Sequence, residues 1–203
     1  MGSGVLSRFI KLMALATFIM FTFWMGWRYL SPGEPGDYHV REGDIRLSSG
    51  EYGHALESFD AALAEAPDHR GALIGKAIAL MHMDRPAEAE AVWTHAIDHL
   101  TRTLKADDAT GRGALAAAHA NRGILRDRLE RHEEALADYL AALRVDAGAV
   151  EGPGMIDKIL HNQPQWSTVA KRAMYLQEQF KLPPEQRVLR VPEVDATQRM
   201  VKP

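Results

Sequence analysis

The chain has 203 residues, 46% hydrophobic and 25% charged, with a formal net charge of −3 and no cysteine. Residues 31–149 carry 13 Lys and Arg against 21 Asp and Glu, hence −8, an acidic body without the clustered cations that neutralise phosphates, so nucleic acid is not expected as a partner. About 170 residues beyond the first thirty suffice for one domain with its own core, and no disulfide framework supports it.

The first predicted element is a membrane anchor. Leu12 to Trp27 is an uncharged run of sixteen residues. As a helix it reaches about 24 Å, short of a hydrocarbon core of about 30 Å. Phe9 and Ile10 extend the run, and Lys11 can snorkel its ammonium to the interface. Phe23, Trp24, Trp27 and Tyr29 cluster at the far end, where amphipathic rings favour the headgroup region. A single-pass anchor is therefore expected within residues 1–30, entering the membrane through residues 9–30. A cleaved signal peptide is disfavoured because bulky residues, Trp24 to Tyr29, follow the core where a small-x-small cleavage site is needed. A soluble helix is disfavoured because the run is apolar on every face. Arg8 and Lys11 precede the span, whereas Arg28 alone follows it closely, so the N-terminus is expected on the inner side. In a bacterium that places the anchor in the inner membrane and residues 31–203 in the periplasm. Ser31 to Gly36 is a Pro/Gly linker.

A repeat follows. Gly43, Ala55, Phe59 and Ala62 are matched 34 residues later by Ala77, Ala89, Trp93 and Ala96, and a further 46 later by Gly123, Ala135, Tyr139 and Ala142. Small residues at these spacings let two helices approach closely, and the aromatic fills the space between stacked pairs. Turns are expected at Ser49-Gly50, Asp84-Arg85-Pro86 and Glu130-Arg131-His132, with Pro86 suited to a first helical turn. The pattern small, small, aromatic, small resembles the tetratricopeptide repeat, most closely in Asn121–Leu143. The resemblance covers residues 36–149 and implies an all-α solenoid. The units are expected at 36–69, 70–103 and 116–149 within a repeat segment 37–149, with an insert, 104–115, that lengthens the flanking helices or protrudes toward a partner.

Capping helices are expected over 150–181. Met155 to Leu160 reads as a short helix that Pro164 breaks; Ser167 then caps a longer helix to about Phe180, with Val169, Ala173, Leu176 and Phe180 on one face. Residues 182–203 form an extended tail, because Pro183, Pro184, Pro192 and Pro203 rule out a continuous helix. The tail is too aliphatic for a simple solvated end. Val188, Leu189, Val191 and Val194 are expected to supply apolar contact. Arg187, Arg190 and Arg199 are expected to face the acidic body or an acidic partner.

No catalytic constellation stands out, and the chain is expected not to be an enzyme. Gly111-Arg112-Gly113 lacks the strand and later glycine of a dinucleotide loop, and Asp107-Asp108 and Glu133-Glu134 read as solvated faces. His95 and His99 share a helix face at a spacing that can bind zinc, but neither a third ligand nor an HExxH motif accompanies them, so neither metal nor other cofactor is expected.

The family resemblance implies a concave groove lined by the first helix of each repeat. On this sequence the lining would be Val40, Asp44, Leu47, Ile74, Ile78, Met81, Ala120, Ile124 and Asp127. Asp44 and Asp127 disfavour a carboxylate-terminated peptide, whereas an amphipathic helix or apolar strand fits; equally, the chain's own tail can cover the same surface. The expected function is a non-enzymatic scaffold binding other proteins, as accessory subunit or assembly factor of a membrane complex of respiratory, cytochrome-biogenesis, photosynthetic or secretion type. The alternatives are a membrane-tethered peptide-binding chaperone or transport receptor and, last, a metal-dependent enzyme.

Overall fold

The computed structural model describes residues 3–30, 33–150, 168–192 and 200. The chain divides into two units, Met1–Glu34 and Pro35–Pro203. Among the described residues every regular element is helical.

The first unit is one helix, α1 (Ser3–Leu30). Its stretch Ser7–Trp27 has 21 residues and a mean hydropathy of 1.7. At 1.5 Å per residue that is about 31 Å, a full hydrocarbon thickness rather than the shortfall read from the uncharged run alone. Thr17 and Thr22 donate their hydroxyls back to the carbonyls of Met13 and Ile19, which satisfies both polar groups within the helix. Phe21 stands against Trp24, and Phe23 stacks on Trp27. By length and composition this helix is long and apolar enough to cross a membrane, a test that a signal sequence near an N-terminus also passes.

The second unit is a series of antiparallel helix pairs: α2 (Asp37–Ser48) with α3 (Tyr52–Glu65), α4 (Arg70–His82) with α5 (Pro86–Thr103), and α6 (Ala109–Arg128) with α7 (His132–Val150). A further helix, α8 (Val169–Phe180), and a 3-10 turn, Pro184–Gln186, follow. Each pair is joined by the same turn. The last residue before the second helix donates its N–H five residues back (Glu51 to Arg46, Arg85 to Leu80, Arg131 to Arg126), and the residue before it three back (Gly50 to Leu47, Asp84 to Met81, Glu130 to Asp127). This Schellman geometry requires a left-handed residue. Gly50 adopts it at φ 78°, Asp84 at 56° and Glu130 at 62°, so one backbone solution recurs at register-equivalent positions with three residue types.

Local caps set the first helix of each pair. Gly36 precedes α2 at φ 89°, its N–H donating to Glu65 Oε2 at 2.7 Å; a Cβ there would meet the Ala62 carbonyl at 2.8 Å. His69 caps α4, its Nδ1 accepting from the Ala72 N–H while Nε2 lies 3.1 Å from Asp37 Oδ1. Asp108 caps α6 by accepting from the Gly111 N–H at 2.7 Å, and Arg70 holds the same carboxylate at 2.8 Å.

Packing follows the small–aromatic code. Phe59, Trp93 and Tyr139 are fully buried, as are Ala55, Ala89 and Ala135. A Cβ on Gly43 would lie 2.6 Å from the Phe59 ring and one on Gly123 2.8 Å from the Tyr139 ring, so glycine is what lets each ring reach the opposite backbone. Gly75 also abuts the Phe59 ring, a contact outside the repeat code.

Residues 104–108 of the insert make a short connection, and 109–115 lengthen the flanking helix α6 by its first two turns. Ala114 and Leu115 join the core around Trp93, so this part of the insert is a packed extension rather than a protrusion. The cap of α8 is Thr168, whose side chain accepts from the Lys171 N–H, one residue after the serine chosen from sequence. Helix α7 breaks at Asp146 (φ −160°, ψ 96°), where that carboxylate accepts from the Ala149 N–H, ahead of the repeat end placed at 149. The expected helix Met155 to Leu160, Pro164 and Ser167 lie outside the described residues.

Candidate protein-binding site

The first helices of the pairs do not present an open apolar groove. Of the nine positions read as its lining, Ile74, Ile78, Ala120 and Ile124 are core residues and Asp127 is only 6% exposed. Val40, Asp44, Leu47 and Met81 are half-buried. The physical reason lies in the neighbours. Ile74 and Ile78 pack in the cluster built around Trp93 and Leu80, with Leu47, Met81 and the tail residue Met200 against it. Ala120 and Ile124 belong to a second cluster, with Ala135 and Tyr139 of α7 and Val169, Ala173 and Leu176 of α8. Chain-internal packing thus takes up surface that the repeat pattern assigns to a partner.

Asp127 is not a groove acid. It sits where Leu47 and Met81 sit in the first two pairs, and it anchors α8. Arg172, 2% exposed, grips it with two bonds of 2.7 and 2.8 Å. His132 Nδ1 lies 2.8 Å from the same carboxylate, and the Tyr139 hydroxyl donates to it at 3.1 Å. Burial alone would raise the Asp127 carboxyl; the bonds from Arg172 and His132 outweigh it and hold the group below its ordinary value. Arg172 interrupts the apolar stripe of Val169, Ala173 and Leu176, and that interruption is the sequence signal that would have found it.

A second buried acid, Asp138 of α7, joins the last two pairs. Arg122 approaches it at 2.7 and 2.9 Å, Arg126 at 2.9 Å and His119 at 3.3 Å, while Arg122 also reaches Thr94. Arg126 and Arg131 converge on Glu90 of α5 at 2.8 and 2.7 Å. Burial would raise Asp138, but the bonds from His119 and Arg122 keep it depressed. Arg131 lowers Glu90 against the opposing effect of burial.

The tail segment 187–191 runs extended beside α8. Val188 donates its N–H to Gln179 Oε1 at 2.8 Å and accepts from the Tyr175 hydroxyl at 2.7 Å. The Leu189 carbonyl accepts from Arg172 at 2.8 Å, and its side chain packs against the cluster of Tyr139 and Leu176. Arg190 meets Glu130 at 3.0 Å. Arg187 donates to the Leu182 carbonyl, lies over the Phe180 ring at the end of α8 and lines a cavity with Glu130, Glu133 and Glu134. The side chain of Val188 is 57% exposed; its backbone, not its isopropyl group, makes the contact. Val191 is half-buried. Val194 and Arg199 lie outside the described residues. A cavity of about 330 Å³ opens beside this segment, lined in part by Glu130, Glu133, Glu134, Phe180 and Leu189. Tyr175 and Gln179 carried no sequence signal, because nothing marks a surface tyrosine or glutamine as a holder of main chain.

His95 and His99 both turn to Asp68, at 2.9 and 3.3 Å. His82 instead stacks on Tyr52 with ring centroids 4.4 Å apart. Among the described residues no group of three His, Cys, Asp or Glu is arranged to hold a metal ion.

Residues 46–120 match the family model described as tetratricopeptide repeat, which spans the chain from within α2 to the middle of α6. No curated protein matches the chain. Tetratricopeptide repeats stack helix pairs into protein-interaction scaffolds. The recurring turn, the small–aromatic packing code and this match together identify residues 46–120 as a tetratricopeptide repeat region.

Proposed function

We propose that this protein is a membrane-anchored, non-enzymatic scaffold, acting as an accessory subunit or assembly factor of a membrane protein complex. The observation that carries the reading is the pairing of a 21-residue apolar stretch, Ser7–Trp27, with a protein-interaction repeat domain in one chain. The anchor would confine the scaffold to one membrane and raise its effective concentration for partners in that membrane. Arg8 and Lys11 favour an N-in orientation, so that in a bacterium residues 31–203 stand in the periplasm. Two buried carboxylates, Asp127 held by Arg172 and Asp138 held by Arg122 and Arg126, sit in structural pairs, which accounts for their lowered pKa without catalysis.

The test is solubilisation of membranes in a mild detergent, capture of the full-length chain and mass spectrometry of what accompanies it. The reading expects the chain to resist a carbonate wash and to bring down other integral membrane proteins, stoichiometrically for a subunit and substoichiometrically for an assembly factor. Release by carbonate, or capture of the chain alone, would overturn it.

A further inference from the structure

We propose that the face of α8 carrying Arg172, Tyr175 and Gln179 is a docking site for an extended segment of a partner protein, an aliphatic residue followed by a basic one. The chain's own residues 187–190 occupy it as a placeholder that the partner displaces. This deepens the scaffold reading and rests on it for the existence of a partner.

Residues 172, 175 and 179 fall on one side of a helix, spaced by three and four. Each holds a main-chain group of the tail: Arg172 the Leu189 carbonyl, Tyr175 the Val188 carbonyl and Gln179 the Val188 N–H. Main-chain bonds are available to any extended segment, so this part of the contact does not depend on the tail's sequence. The donor at the centre is preorganised, because Asp127 fixes the Arg172 guanidinium from behind with two bonds. Three tail side chains add selectivity, Arg187 by lying over the Phe180 ring at the end of α8. Leu189 packs against the Tyr139–Leu176 cluster, and Arg190 meets Glu130. The adjoining cavity is lined by Glu130, Glu133 and Glu134 together with Arg131 and Arg187, and Glu134 is already paired with Arg131, so the preference for a basic residue rests on the Arg190–Glu130 contact.

The placeholder is held lightly. Val188 points its side chain to solvent, Leu189 is only partly buried, and both members of the Arg190–Glu130 pair are more than half exposed, a setting in which ion pairs contribute little. An intramolecular segment bound through backbone bonds and one half-buried leucine is one that a partner of the same pattern can replace.

The experiment uses the full chain in detergent micelles and a fluorescent, terminally blocked peptide of residues 185–192, read by anisotropy. Leu189→Asp should loosen the placeholder, so this variant is expected to bind the peptide at least tenfold more tightly than the unmodified chain. Methylating the peptide's amide nitrogen at position 188 should weaken binding at least tenfold, whereas exchanging Val188 of the peptide for threonine should change it less than twofold. Tyr175→Phe in the Leu189→Asp background should weaken binding several-fold with an unchanged circular dichroism spectrum. No binding by the Leu189→Asp chain, equal binding by both chains, or equal binding of the methylated peptide would overturn the proposal. Any of these leaves the co-purification result standing, since that experiment reads every surface of the chain.

Discussion

Removing one partner of the Asp127–Arg172 pair tests how α8 is held. Asp127→Met installs the residue that Met81 supplies at the equivalent place one pair earlier. It also strands Arg172 as a buried cation and takes the acceptor from the Tyr139 hydroxyl. Breaking a buried pair in this way costs about 3–5 kcal/mol. Arg172→Met leaves the reciprocal charge and frees the Leu189 carbonyl, for a similar cost. The double variant removes both charges, and neighbours in one network couple by about 0.5–3 kcal/mol. Its cost should fall below the sum of the single costs by roughly 2–3 kcal/mol. Urea denaturation of the full chain in detergent, followed by the near-ultraviolet signal of Trp93 and Tyr139, measures all three. Additive costs, or a single cost under about 1 kcal/mol, would show that apolar contacts of Val169, Ala173 and Leu176 hold the helix and the ion pair is incidental.

The left-handed turn residue offers an opposite change: Asp84→Gly removes a conformation that costs L-residues about 1–2 kcal/mol and should raise stability by about 0.5–1 kcal/mol, read as a higher urea midpoint. Gly123→Ala should destabilise by about 1–3 kcal/mol, because its Cβ would lie 2.8 Å from the Tyr139 ring and 3.2 Å from the Ala135 carbonyl; an unchanged melting temperature would refute that packing. Asp127 and Asp138 both have depressed folded values. Their contribution is therefore present above the ordinary carboxylate pKa of about 4 and lost as the pH falls through the folded values. Thermal melts from pH 6 to pH 2 should show a steep loss at the acid end, and Asp138→Asn should flatten it.

The sequence by itself determined the helical period, the pairing and the turn positions. These rest on local signals, such as a proline at a first helical position, and on a small residue and an aromatic sixteen apart whose spacing is legible because it recurs in three copies. The apolar length of α1 is also a local property and was legible for that reason. Tertiary structure alone decided what the repeat surface faces. Ile74, Ile78, Ala120 and Ile124 carry the same apolar character whether a partner or the chain's own helices cover them, so burial by α8 and by neighbouring pairs was invisible in one dimension. Asp127 reads as a groove acid because an isolated carboxylate belongs in water, and nothing local marks Asp138 as buried. They are buried because Arg172, 45 residues away, and Arg122, 16 residues away, satisfy them, and no local pattern encodes partners at such separations. The sequence left the insert 104–115 as either a lengthening of the flanking helices or a protrusion, and tertiary packing decided between them. Gly111 and Gly113 suggest a loop from propensity, but Asp108 and Arg70 cap the helix and Trp93 supplies a core for Ala114 and Leu115, which together outweigh the entropic cost of two glycines.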